Sequence, residues 1–158
     1  MTPIARILKP FAASALIAAG LSVALAEAPS MIGTWEIVEA MPGPWTPQDQ
    51  RAALTAEGKN MVGLVITFEP SQVKSRNRAF TCRRVVYEAN ALEADALFQG
   101  NLPEPNPTAA ALRLGFKRGD VPGVDVKCVN ALYTFHFRDP DTAMFNLNSV
   151  IYTLKRTR

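Results

Sequence analysis

Few residues in this chain combine the type and the spacing that catalysis needs. His136 is the only histidine, so Ser-His-Asp or Cys-His catalysis would depend on it alone. In a predicted strand it shares a face with Thr134 and Arg138, which predicts a surface or rim position. Tyr133 points to the opposite face and cannot join His136 in binding a haem or a metal. We therefore expect no metal site, no cofactor and no enzymatic activity.

Carboxylates are the other candidates for acid–base chemistry. Asp139 and Asp141 are close in sequence, but Asp-Pro-Asp-Thr at 139–142 is a turn sequence in which both carboxylates can accept hydrogen bonds from backbone amides. Glu36 and Glu88 are single acids on predicted strands without an identifiable partner. A hydrolase or isomerase acting in a barrel mouth is consequently the least supported hypothesis.

A local basic cluster is the main charged feature of the chain. It consists of Lys74, Arg76, Arg78, Arg83 and Arg84. Such a cluster is usually a solvated loop, and the alternative is a surface for an acidic partner. Because Arg83 and Arg84 are consecutive, a strand would point them to opposite faces, and at least one would be paired or lie near a rim.

Residues 1–26 have the features of a secretory signal peptide. Arg6 and Lys9 precede an apolar run at 11–25, and Ala24-Leu25-Ala26 has the small-x-small pattern of a cleavage site. The run is too short for a comfortable membrane span, although an uncleaved anchor is the alternative. We expect cleavage after Ala26, no stable membrane span afterwards, and a periplasmic or secreted protein.

The charge that remains after cleavage is small. Two of the 17 basic residues lie in the leader, which leaves 15 against 14 acidic residues and a net charge of +1. Phosphate backbones require a surplus of clustered cations, so we expect no nucleic-acid partner.

Two cysteines follow the leader. In an oxidising compartment Cys82 and Cys128 are expected to form one disulfide, the alternatives being free thiols or a metal pair. Two sulfur atoms and one distant histidine make a poor zinc site, because zinc usually takes four such ligands.

Hydrophobic patterns predict a mainly β fold. Strands are predicted at 31–39, 61–69, 79–87, 124–128, 132–138, 143–148 and 150–156. Short helices are predicted from an N-cap at Thr46, over 90–98 and over 108–114, and the Pro-rich 102–107 predicts a surface loop. Residues 27–158 should form a single antiparallel β-barrel or strongly curved sheet, with two or three short helices inserted at one end.

Gly33-Thr34-Trp35 near the mature N-terminus, together with the late Arg156, resembles the calycin group, that is, lipocalins and their bacterial lipocalin-like relatives. The resemblance implies that Trp35 packs at the closed end of a barrel under Arg156, with Lys155 and Arg158 as rivals for that position. It also implies binding of small or apolar ligands. The helices and prolines at 90–123 depart from a regular barrel and favour a partial one.

These features lead to three hypotheses about function. The first is an exported, non-enzymatic, lipocalin-like protein that binds a small apolar molecule or a periplasmic protein, with contacts at the open end from Trp45, Phe98 and Leu102. Trp45 would act as a lid, or else fold back on the core, and 98–102 would be exposed. The second is an inhibitor of a hydrolase such as a lysozyme or protease, with the loop at 102–107 as its plug. The third is the hydrolase or isomerase named above.

Overall fold

In the computed structural model, which describes residues 29–129 and 131–157, the chain forms one curled antiparallel sheet. Its strands are β1 Gly33–Pro42, β2 Val65–Phe68, β3 Gln72–Ser75, β4 Cys82–Arg83, β5 Val86–Leu92, β6 Val121–Cys128, β7 Ala131–Asp139, β8 Thr142–Leu147 and β9 Val150–Arg156. The order across the sheet is β4-β3-β2-β1-β9-β8-β7-β6-β5. The sheet curls into a half-barrel, which confirms the predicted fold class. The leader at 1–26 and Arg158 lie outside the described residues.

Short helical segments connect the strands. Helix α1, Arg51–Lys59, lies between β1 and β2, and helix α2, Pro107–Arg113, lies between β5 and β6. Two 3₁₀ segments, Arg78–Phe80 and Ala94–Gly100, precede β4 and α2.

The two faces of the sheet bury separate clusters of apolar side chains. Phe145 and Tyr152 belong to the cluster inside the half-barrel, whereas their chain neighbours Met144 and Ile151 belong to the other cluster. Because neighbouring strand residues point to opposite faces, the second cluster covers the outer face. The segment 94–116 packs there. The expectation that the inserted segment at 90–115 sits at one end of the sheet is therefore wrong, since the outer face is itself apolar and this segment covers it.

The inside of the half-barrel is filled with aromatic rings. The centroid of Phe145 lies 5.1 Å from that of Phe135, 5.2 Å from that of Tyr152 and 5.6 Å from that of Phe80. Phe68 adds an edge-to-face contact with Phe135 at 5.4 Å. Rings at these separations gain from both area burial and quadrupole geometry. The interior is a packed core.

Arg156 and Trp35 make the contact that the resemblance implies. The guanidinium carbon of Arg156 lies 4.3 Å from the centroid of the indole, which is fully buried. Arg156 Nη1 donates to the carbonyl of Ile32 at 2.6 Å and Nη2 to that of Ser30 at 2.6 Å. A Cβ at Gly33, whose φ is +128°, would lie only 2.7 Å from Nη1. The glycine of the motif therefore makes room for the arginine.

Several predicted element boundaries were wrong at the first helix and the second strand. Helix α1 begins only at Arg51, after turns at 48–50, and the hydroxyl of Thr46 donates to the carbonyl of Ser149 at 3.3 Å instead of capping the helix. Residues 61–64 form turns after α1, so β2 starts only at Val65, which is 44% exposed. The strand predicted to be the most buried is thus short and only partly covered.

The predicted strand at 79–87 and the predicted helix at 90–98 were also wrong. Arg84 has a φ of +60° and separates the two-residue β4 from β5. Strand β5 then continues to Leu92, because every residue from Val86 onward is paired with β6. The capping-box pattern at 90–93 is overruled by this ladder, and only 3₁₀ turns follow it.

Side chains join the two edges of the curled sheet. The Cys82–Cys128 disulfide, which confirms the predicted pair, connects the edge strand β4 to β6, with the Cα atoms 5.8 Å apart. The hydroxyl of Tyr133 donates to the carbonyl of Ala79 at 2.7 Å, and that of Tyr87 donates to the carbonyl of Glu69 at 2.8 Å. Burial raises the pKa of Tyr87 to about 12, so this hydroxyl keeps its proton. The half-barrel is closed by these links between β2–β4 and β5–β7.

Replacing Cys82 and Cys128 by serine should lower the free energy of unfolding by about 4 kcal/mol, because the bridge spans 46 residues and restricts the unfolded chain. Urea unfolding of the oxidised wild type and the double variant measures this difference. Reductant should destabilise the wild type and leave the double variant unchanged. Equal stabilities of the two proteins would contradict a structural role for the bridge.

Trp35→Ala should lower the free energy of unfolding by about 3–5 kcal/mol, because it empties a fully buried site and leaves Arg156 without its ring. Trp45→Ala is the matched control, since Trp45 is only half-buried and its replacement should lower the free energy of unfolding clearly less. A Trp35→Ala protein of wild-type stability in urea unfolding would refute this role.

Candidate functional site

A groove beside the disulfide collects the basic residues. Its cavity volume is about 830 Å³, and we call it the basic groove. It is lined by Arg78, Arg83 and Arg84, by both cysteines of the disulfide, and by Val129, Ala131 and Tyr133. The groove therefore lies along the junction between the two edges of the sheet.

Local hydrogen bonds position the arginine side of the groove. The side chain of Asn77 accepts from the backbone N–H of Ala79 at 3.0 Å and so starts the 3₁₀ turn that carries Arg78. At the end of that turn, the hydroxyl of Thr81 donates to the carbonyl of Ser75 at 3.1 Å. The turn is thereby held against β3.

The conformation of Arg84 brings two consecutive arginines to the same groove. A regular strand would have pointed Arg83 and Arg84 to opposite faces, which was the prediction. Arg84 instead adopts a left-handed φ of +60°, and its backbone N–H donates to the carbonyl of Ser71 at 2.8 Å. A left-handed conformation costs a non-glycine residue about 1–2 kcal/mol. Such strain is retained where the surrounding structure enforces it.

The arginines of the cluster are exposed and lack acidic partners. Lys74 pairs with Glu69 at 2.6 Å. None of the other four cluster members makes an ion pair within the described ranges: Arg76, Arg78, Arg83 and Arg84. No acidic residue occurs between Glu69 and Glu88, and Glu88 itself pairs with Lys127. The groove consequently carries a local excess of positive charge.

One strongly exposed apolar side chain lines the groove, that of Val129, which is 70% exposed. Leu132, which is 60% exposed, and Val86, which is 54% exposed, do not line it. They flank Lys127 in the register of β5, β6 and β7 and lie in one row on the outer face, opposite to Ala131 and Tyr133. A mixed basic and apolar surface is typical of a site that a partner covers.

The three predicted contact residues belong to one apolar cluster, in which Phe98 and Leu102 are buried and Trp45 is half-buried. Phe98 is fully buried and Leu102 is 4% exposed, so the expectation of an exposed segment at 98–102 is wrong for both side chains. They fill the space between the sheet and the outer helical segments. Trp45 is half-buried with its ring centroid 5.9 Å from that of Phe98, which corresponds to the alternative of folding back on the core.

His136 is fully buried, so the predicted surface or rim position is wrong. Its strand face alternates as expected, but the segment at 94–100 covers that face. The backbone N–H of Phe98 donates to His136 Nε2 at 3.1 Å. Burial lowers the pKa of His136 to about 4, against a smaller opposite effect of the Asp125 carboxylate. The imidazole is neutral at pH 7.

The predicted turn at 139–142 uses its carboxylates structurally. Asp139 Oδ1 accepts from the backbone N–H of Asp141 at 2.9 Å, and Asp141 Oδ1 accepts from Arg156 Nε at 3.1 Å. Across the described residues, no group of three or more His, Cys, Asp and Glu is placed to hold a metal ion. Among the helices described, none is long and apolar enough to cross a membrane.

Comparison with known proteins identified no similar protein. No protein-family model matches the chain, and searches of curated proteins and of solved structures found no match either.

Acid should destabilise the protein through His136. The folded pKa of about 4 is below the unfolded value of about 6.5, so between these pH values the unfolded chain binds the additional proton. Stability should fall by up to about 3 kcal/mol as the pH drops from 6.5 to 4. Urea unfolding at several pH values measures this slope. His136→Gln should flatten it, and an unchanged slope in that variant would contradict the assignment.

Proposed function

We propose that this chain is an exported, non-enzymatic, lipocalin-like protein that uses the basic groove to bind an acidic segment of a protein partner. The observation that carries the proposal is the set of four exposed arginines without ion pairs, three of which line a groove that also contains the exposed side chain of Val129. Unpaired clustered cations attract an acidic partner and orient its approach. Val129 and the ring of Tyr133 add apolar surface for the partner to cover.

The disulfide supports export. Disulfides form and persist in oxidising compartments, and the leader at 1–26 would direct the chain to one. Cys82 and Cys128 also line the groove, so the proposed site depends on the bridge.

The packed interior favours a surface site over an enclosed apolar ligand. A lipocalin-type ligand would have to occupy the space that Phe135, Phe145 and Tyr152 already fill. Displacing rings from a close-packed core is destabilising. Of the two predicted kinds of partner, we therefore place the protein partner first.

Inhibition of a hydrolase would be one form of such an interaction. The Pro-rich loop is anchored by the buried Leu102, and the side chain of Asn106 accepts from the backbone N–H of Ala109 at 2.8 Å. The exposed residues between these anchors include Glu104 but no cation. The groove would attract an acidic partner, whereas this loop, with its glutamate, would attract a basic one. The larger excess of charge is the positive charge at the groove.

The proposal predicts selective binding of acidic peptides. A fluorescein-labelled peptide of six glutamates and two leucines should bind, whereas its lysine counterpart should not. Arg78→Glu and Arg83→Glu should each weaken binding about fivefold or more, which corresponds to about 1 kcal/mol. Arg113→Glu, an exposed reversal on α2, is the control and should change affinity less than twofold. Fluorescence anisotropy at low and moderate salt measures these affinities.

Replacing Arg84 separates binding from folding. Arg84→Gly removes the strain of a left-handed arginine, so the free energy of unfolding should not fall, while peptide affinity should drop as in the other variants. The proposal fails if the acidic peptide does not bind or if Arg113→Glu weakens binding equally. Equal or tighter binding of single-stranded DNA or of anionic vesicles would also overturn it.

A further inference from the structure

A second, smaller cleft lies on the outer face of the sheet, where β5, β6 and β7 run side by side. Its cavity volume is about 220 Å³, and it shares no lining residue with the basic groove. Its polar lining comes from Asn90, Gln99, Asp125, Thr134 and His136, and we call it the polar cleft. Nothing in the proposed function uses it.

A glycine between two polar side chains opens this cleft. In the register of the sheet, Asn90 pairs with Gly123 and Gly123 pairs with His136, so the three lie in one row. A Cβ at Gly123 would overlap the side-chain oxygen of Asn90 and lie 2.9 Å from the carbonyl oxygen of Phe135. The carboxamide of Asn90 therefore lies over Gly123, on the side where His136 stands.

His136 presents a hydrogen-bond donor that no described group accepts. Its Nε2 accepts from the backbone N–H of Phe98, so the neutral ring carries its proton on Nδ1. Nδ1 is buried without a hydrogen-bond partner within the described part of the chain, and the same is true of Asn90 Oδ1. Buried polar atoms are normally satisfied, so an unused donor and an unused acceptor in one cleft indicate a missing group.

The backbone that fixes His136 is strained. Phe98 and Gln99 adopt left-handed φ values of +52° and +58°, which non-glycine residues seldom use. This conformation aims the N–H of Phe98 at Nε2 and places its ring 4.9 Å from the imidazole, edge to face. One side of the imidazole is thereby held in place, while the buried Nδ1 has no hydrogen-bond partner among the described residues. Strain of this kind concentrates at ligand sites.

The charges around the cleft exclude an anion. Asp125 lies on its lining, and its Oδ1 accepts from the hydroxyl of Thr134 at 2.7 Å. A carboxylate ligand would meet this negative charge and a neutral imidazole. A neutral ligand would not be repelled by the carboxylate of Asp125. It would satisfy the cleft if it offered one hydrogen-bond acceptor and one hydrogen-bond donor.

We propose that the polar cleft binds a small neutral molecule through a carboxamide group. The carbonyl oxygen of the ligand accepts from His136 Nδ1–H, and its N–H donates to Asn90 Oδ1. The cleft has the room of roughly seven water molecules at about 30 Å³ each, which limits the ligand to a small ring or a short chain beside the amide.

The test follows the imidazole nitrogens of His136 by NMR, using untagged protein labelled with ¹⁵N-histidine. Because the chain has a single histidine, the ring signals need no residue assignment, and the protonated Nδ1 is distinguished from the unprotonated Nε2 by its attached hydrogen. Benzamide should shift the Nδ1 signal in a saturable way. Benzoate, which is charged, and methyl benzoate, which lacks the donor, should each bind at least tenfold more weakly. This series uses only the wild-type protein, so it does not depend on a variant that folds.

Asn90→Leu should weaken benzamide binding at least tenfold, because it removes the acceptor and keeps the size of the side chain. Asn146→Leu is the matched control, since Asn146 also has a buried oxygen without a partner but does not line the cleft, and should change affinity less than twofold. The proposal is overturned if benzamide causes no saturable shift, as for a cleft that holds only water. Equal binding of benzoate, or an unchanged affinity of Asn90→Leu, would overturn it as well.

Discussion

The structure depends on closing a sheet whose two edges do not meet through a backbone ladder. Strands β4 and β5 end the sheet, and a covalent bond from Cys82 to Cys128 joins the two sides, assisted by the hydroxyls of Tyr87 and Tyr133. An open edge would expose unpaired backbone groups. The side-chain links hold the two sides of the sheet together without a ladder, and a groove remains along the junction. The proposed partner site is therefore a product of the way in which the half-barrel closes.

Packing on both faces separates the two candidate sites. The inner face is occupied by aromatic rings, which leaves no reason to place a ligand there. The outer face is covered only in part, and the polar cleft opens beside the segment at 94–100, where the cover meets the sheet. Strain accompanies each site, at Arg84 in the basic groove and at Phe98 and Gln99 beside the polar cleft.

Local patterns were sufficient for the class of fold and for individual contacts. Alternation of apolar residues identified most strands, turn chemistry identified the hairpin at 139–142, and cysteine count identified the disulfide. The pairing of Trp35 with Arg156 was implied by the resemblance to the calycin group, with Lys155 and Arg158 as rivals, and the structure shows it for Arg156. The strands, the turn and the cysteine count depend on residue type and local pattern, which a sequence displays directly.

Burial on the outer face and the meeting of distant residues were decided only by the tertiary structure. Alternation placed His136 on the face away from the core, but it could not show that 94–100 would cover that face. Likewise, Arg83 and Arg84 share a groove because a contact with Ser71 holds Arg84 in a left-handed conformation. The sequence by itself determined a β-rich chain with a basic cluster, a cysteine pair and a Gly-x-Trp motif. Long-range strand pairing decided where each of them lies, because pairing within a buried sheet overrides the local conformational preference of a segment.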